Sequence, residues 1–81
     1  MASEAIYEKL TGVLRDVFDD DTIVATPQLT ADQVDGWDSF AHLRVLMTVE
    51  RAFGVKFSAG EVDSLKNVGD LANLITLRAA A

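Results

Sequence analysis

Ile6, Leu10, Val13, Leu14, Val17 and Phe18 recur at intervals of three and four residues, a period that only a helix gathers onto one face. The spacing predicts a first helix from Ser3 to Phe18, with Ser3 as N-cap and Glu4 in the first turn. Gly12 weakens that helix by about 1 kcal/mol relative to alanine, a cost that close packing of another element would explain. Asp19-Asp20-Asp21 opposes the negative end of the helix dipole and stops the helix. The same period returns from Ser39 to Phe53, closed by Gly54 as a left-handed cap. Val55-Lys56-Phe57 reads as an extended connector. Ser58-Ala59-Gly60-Glu61 has the serine-to-glutamate spacing of a capping box and opens a short third helix. A fourth runs from Val68 to Leu77 behind Asn67, with Val68, Leu71, Leu74 and Ile75 on its apolar face. Between the first two helices lies a long loop, punctuated by Pro27 and Gly36 and tacked down by Leu29 and Val34. A loop of that length in a small domain is usually functional. The expectation is an all-α chain: a small four-helix bundle with a long first loop and a short third helix.

With 81 residues and no cysteine, stability must come from packed helix faces in a single domain spanning residues 1–81. The absence of cysteine fits a reducing compartment, and no thiol comes from the chain itself. The first residues lack the basic and apolar regions of a signal peptide, and no apolar run is long enough for a bilayer. A cytoplasmic protein is expected. The net charge of −6 argues against nucleic-acid binding and against docking on anionic membranes. His42 is the sole histidine and has no helical metal-ligand partner, and the Asp19–Asp21 run lacks the spacing of a calcium loop. No metal site is expected. A structural contact of His42 with the third helix is the simpler reading of that residue, and packing over the entrance to helix two is the simpler reading of Trp37. Glu50, at the edge of the core face, needs a partner that the sequence does not name.

Ser39 carries the chemistry. It lies where the polar loop Val34-Asp35-Gly36-Trp37-Asp38 becomes a helix. A helix N-terminus offers unpaired N–H groups and the positive end of the dipole, which favour an anion such as a phosphate ester. The residue types alone allow a simpler role, in which Ser39 is a plain N-cap worth about 1 kcal/mol. No third orienting group or oxyanion hole accompanies Ser39 and His42, so the pair does not read as catalytic.

On the helical wheel of Ser39–Phe53, Leu43, Leu46, Val49 and Phe53 fall on the expected core face, flanked by Val45 and Ala52. Phe40, Arg44, Met47 and Arg51 fall within roughly 60° of one another on the opposite side. This stripe of alternating apolar and basic residues begins one residue after Ser39 and reads as a docking surface.

Taken together, Asp38-Ser39-Phe40, the preceding Gly36-Trp37, the segment Glu50-Arg51-Ala52-Phe53-Gly54-Val55-Lys56-Phe57, and Leu65-Lys66-Asn67-Val68-Gly69-Asp70-Leu71 resemble the acyl carrier protein family, including its peptidyl carrier relatives. The resemblance covers nearly the whole chain. It implies a non-enzymatic carrier in which Ser39, beside the motif neighbour Asp38, is esterified with 4′-phosphopantetheine taken from coenzyme A. The thiol of that group holds fatty acyl, polyketide or aminoacyl cargo as a thioester. The implied partners are a phosphopantetheinyl transferase, an acyl- or aminoacyl-loading ligase, and a downstream acyltransferase or synthase, with the carrier itself monomeric. Phe40 stands where the family motif has leucine. Family members of dissociated fatty acid synthesis typically line the exposed side of helix two with Asp and Glu. Here Ala41, Arg44 and Arg51 occupy positions on and around that side, so a specialised pathway is expected rather than the housekeeping one. The rival expectation is a non-catalytic helical interaction module with Ser39 an unmodified helix cap.

Overall fold

A computed structural model describes residues 3–79. Four α-helices carry the chain: α1 (Glu4–Phe18), α2 (Ser39–Phe53), α3 (Ala59–Asp63) and α4 (Val68–Ala79). A single 3-10 turn, Ala31–Gln33, interrupts the first loop, and no strand occurs among the described residues. The all-α bundle with a long first loop and a short third helix is therefore as expected, with α4 two residues longer than its apolar pattern indicated.

The helix ends follow local chemistry. Ser3 caps α1 by accepting from the Ile6 N–H at 3.4 Å. Asp19 closes that helix in the left-handed region, at φ 50°. Its neighbour Asp20 turns the chain, accepting from the Thr22 hydroxyl and N–H at 2.5 and 2.9 Å. Those two bonds, the hydroxyl's first, hold the Asp20 carboxyl below its ordinary pKa. Any stabilisation from it is present above the ordinary carboxylate range and is lost as pH falls. Gly54 ends α2 at φ 66°, and the Val55 N–H reaches back to the Glu50 carbonyl at 3.1 Å. The capping box at α3 forms as expected: the Ser58 hydroxyl accepts from the Glu61 N–H, and the Glu61 carboxylate accepts from the Ser58 N–H at 2.9 Å. Glu50 finds its partner in the backbone N–H of Phe57, at 2.9 Å.

The core joins Leu10, Val13 and Leu14 of α1 to Val45, Leu46 and Val49 of α2 and to Val68, Leu71, Ala72 and Ile75 of α4. Helix α1 packs against both α2 and α4. Burial of side chains of this size is worth about 1.5–3 kcal/mol each, and it is the main stabilising term available to a chain without crosslinks. Lys9 adds a cation–π contact from α1 to the Phe53 ring, 5.0 Å from its centroid.

The first loop is tied at both sides. Ile23, Ala25 and Val34 are buried in the core, and Leu29 packs against it. On the α1 side, the Arg15 Nε–H donates to the Ile23 carbonyl at 2.8 Å and the Ala25 N–H donates to the Thr11 hydroxyl at 3.0 Å. On the α4 side, the loop supplies acceptors for N–H groups that every helix start leaves unpaired. Val68 donates to the Leu29 carbonyl at 2.8 Å and Gly69 to the Pro27 carbonyl at 3.1 Å. A Cβ on Gly69 would stand 2.8 Å from that Pro27 oxygen, so the approach requires glycine there.

Gly12 corrects an expectation. It is exposed, and nothing lies within 4 Å of a Cβ built on it. No packing constraint opposes a side chain at this mid-helix position. Gly12→Ala is therefore expected to stabilise the fold by up to about 1 kcal/mol, measured as an upward shift of the urea midpoint at unchanged slope. A loss of stability would mean that another element does press on Gly12.

Candidate functional site

The junction of the loop with α2 is built by backbone turns that end in a side-chain cap. Gly36 sits at φ 84°, where a side chain would be strained. The chain turns back there: the Trp37 N–H donates to the Val34 carbonyl at 3.3 Å and the Asp38 N–H to the Gly36 carbonyl at 3.0 Å. Asp38 then adopts extended backbone, and its carboxylate accepts from the Ala41 N–H at 2.8 Å. Asp38 is thus the N-cap, and Ser39 is the first residue inside the helix. The reading of Ser39 as the cap is corrected, because a carboxylate one residue earlier takes the amide that a capping hydroxyl would need.

That displacement leaves Ser39 exposed, with no hydrogen bond from its hydroxyl to any described residue. The N–H groups of Ser39 and Phe40 likewise have no acceptor among the described residues. The site therefore offers an uncommitted hydroxyl, two outward N–H donors and the positive end of a 15-residue helix. Such a start suits an anion linked to the serine oxygen. An ester of 4′-phosphopantetheine fits these groups, since its phosphate is anionic and its attachment needs a free hydroxyl.

Trp37 and His42 flank the serine. The half-buried Trp37 ring rests on Phe18, centroids 5.3 Å apart, and so joins the junction to the end of α1. Its Nε1–H donates to His42 Nδ1 at 3.1 Å. His42 therefore has the indole of Trp37 as its hydrogen-bond partner, which the sequence reading did not anticipate. Both rings line a small apolar cavity of about 40 Å³ with Leu65, Val68 and Leu71. The His42 nitrogen that could accept a proton is already occupied by the indole N–H. His42 is thus not arranged as a base for Ser39.

The residues expected on the exposed face of α2 are exposed. Phe40 shows 75% of its surface and Met47 52%, and Arg44 and Arg51 are open to solvent. Two placements are corrected. Leu43, expected in the core, is 58% exposed and joins the stripe. Ala41, expected on the exposed side, is 8% exposed and faces inward. Both follow from the direction in which α2 meets its neighbours. The buried arc runs from Ala41 through Val45 and Val49 to Leu46, with Val45 and Val49 both 0% exposed, and leaves Leu43 outside it. Among the described residues, no group of three or more His, Asp or Glu side chains is placed to hold a metal ion. No described helix is long and apolar enough to cross a membrane.

Residues 8–75 match the family described as the phosphopantetheine attachment site. Among solved structures, the chain is similar to the holo acyl carrier protein from Geobacter metallireducens, determined in solution by NMR. The two share 43% identity with a TM-score of 0.88, over 93% of this chain and 86% of that one. No curated protein gives a match.

The cap assignment separates two neighbouring substitutions. Asp38→Ala is expected to cost about 1 kcal/mol through loss of the bond to Ala41. Ser39→Ala should stay within about 0.5 kcal/mol of the parent, as an exposed and unpaired hydroxyl does. Thermal unfolding of both variants checks this. A larger loss for Ser39→Ala would return the cap to Ser39.

Proposed function

Since the chain belongs to the acyl carrier protein family, we propose that Ser39 is the residue through which it carries 4′-phosphopantetheine. The single observation that supports this most is the free Ser39 hydroxyl at the start of α2, left uncommitted because Asp38 does the capping. The chain is a carrier and not an enzyme, in keeping with a His42 whose acceptor nitrogen is engaged by Trp37. When attached, the prosthetic group supplies a thiol on a flexible arm that holds an acyl group as a thioester.

In this reading the chain does three things. It exposes Ser39 to a phosphopantetheinyl transferase. It leaves the Ser39 and Phe40 N–H groups free to stabilise the anionic linkage. It presents α2 to the enzymes that load and unload the cargo, with Phe40, Arg44, Met47 and Arg51 on the docking face. The arm then raises the cargo's effective concentration at a docked partner, and weak, fast docking suits transfer from one partner to the next. The basic residues on that face, Arg44 and Arg51, support service in a specialised acyl or aminoacyl pathway rather than housekeeping fatty acid synthesis. Residues 1–81 act in it as one carrier domain.

Treatment with coenzyme A, magnesium and a broad-specificity phosphopantetheinyl transferase should add one prosthetic group to the intact mass. Ser39→Ala should abolish the addition while the far-ultraviolet circular dichroism stays helical. Addition that persists in Ser39→Ala would move the attachment to another residue. No addition to the wild-type chain would overturn the carrier reading of Ser39.

A further inference from the structure

The exposed face of α2 combines large apolar and cationic side chains. Its apolar members are large and open: Phe40, Leu43 and Met47 are 75%, 58% and 52% exposed. Three large apolar side chains at helical spacing on one face exceed the scattered exposure that needs no explanation. Its charged members, Arg44 and Arg51, are cationic on a chain with 13 acidic and 7 basic residues. Neither pairs with a carboxylate among the described side chains, where the ion pair present joins Arg78 to Glu61. Glu50 is the only acidic residue of α2, and it is half-buried and accepts from the Phe57 N–H. Lys56, also exposed, extends the basic character past the end of α2, beside a shallow depression shared with Met47 and Arg51.

The sign of the charge changes along this face. Asp35 and Asp38 stand exposed at the Ser39 end. Arg44 and Arg51 follow about 8 Å and about 18 Å along the axis at 1.5 Å per residue. A partner that receives the Ser39 side chain meets both signs at fixed distances.

We propose that the Phe40–Leu43–Met47 stripe, with Arg44 and Arg51, docks on an enzyme surface carrying an apolar pocket bordered by carboxylates. Those carboxylates stand about 8–18 Å from the entrance that takes the Ser39 side chain. The proposal rests on the carrier reading of Ser39, which fixes the origin of those distances. Charge complementarity selects this occupant. A lysine- or arginine-lined patch repels Arg44 and Arg51, and a carboxylate-bordered pocket satisfies the apolar and the cationic groups together. Leu43 lies between Phe40 and Met47 along the axis of the stripe, and its burial on docking makes it the anchor.

The test uses a carrier-dependent acyltransferase whose carrier-docking patch is lined by Lys and Arg, and the same enzyme with that patch changed to Glu. Each is titrated into isotope-labelled Ser39→Ala protein, so that docking is read without any prosthetic group. The Glu-patched enzyme is expected to bind about tenfold more tightly than its parent, with the amides of Leu43, Arg44 and Met47 moving most. The preference should shrink as salt shortens the screening length below about 10 Å. It should invert in a variant that also carries Arg44→Glu and Arg51→Glu, and Leu43→Ala should weaken binding to both enzymes. Equal binding, tighter binding to the basic parent, or silent stripe amides would overturn the proposal. So would stripe-dependent co-sedimentation with phosphatidylserine vesicles, or a dimer mass in solution that Leu43→Ala abolishes. The intact-mass measurement on wild-type chain reports separately on the carrier reading. Addition of the arm with a failed titration would remove the docking chemistry alone, and a successful titration without addition would remove the carrier reading and the distances measured from Ser39 while leaving the charge preference of the stripe.

Discussion

The hydrogen bond from the Ala41 N–H to the Asp38 carboxylate, 2.8 Å long, determines what the neighbouring serine can do. A helix start has a small set of unpaired donors and accepts one capping side chain well. Because Asp38 takes that position, Ser39 moves one residue into the helix and its hydroxyl is released from structural duty. Two backbone donors remain open beside it. Had Ser39 been the cap, modification of its oxygen would have competed with the bond that starts α2. With Asp38 in that role, the stability of the helix and the chemistry of the serine are separated onto adjacent residues.

The rest of the bundle holds this junction in place. The first loop is not free between α1 and α2, because its carbonyls at Pro27 and Leu29 satisfy the open N–H groups of α4. Its backbone is also tied to α1 through Arg15 and Thr11. Trp37 transmits that order to the helix start by resting on Phe18 and donating to His42. The same indole bond takes up the His42 acceptor nitrogen. A chain organised in this way displays a hydroxyl without placing a base beside it.

Much of this was legible in the residues. The apolar period located α1, α2 and α4 to within two residues, helped by the signals at Ser3, Gly54 and Asn67, and the Ser58–Glu61 box located the start of α3. The exposed positions Phe40, Arg44, Met47 and Arg51 also followed from the wheel. Leu43 and Ala41 did not. A wheel gives angles within one helix, whereas the buried arc is set by where α1 and α4 lie, and small Ala41 fits the inner side that large Leu43 leaves. The ties of the loop to α4 were hidden for a different reason. They run between backbone groups of Pro27, Leu29, Val68 and Gly69, and backbone acceptors have no signature in side-chain pattern. The cap was ambiguous because Asp and Ser are nearly equal in capping strength, and only geometry separates them. Family resemblance supplied the proposed attachment role of Ser39, which no spacing of residue types dictates.

Charge gives the display its direction. Acidic groups stand beside the serine and cationic groups follow along α2, which in the proposed docking is what distinguishes partners by sign as well as by shape. All of this depends on Ser39 being free at an open helix start. Amide nuclear magnetic resonance spectra of the chain before and after attachment of the prosthetic group test that arrangement most directly. If Asp38 caps α2 and the Ser39 and Phe40 donors are open to the anion, those two amides shift furthest, while Ala41, held by Asp38, and the buried Val45 and Val49 stay in place. Large shifts centred on Ser58 or Ser64, or a displaced Ala41 amide with an unmoved Phe40, would contradict it.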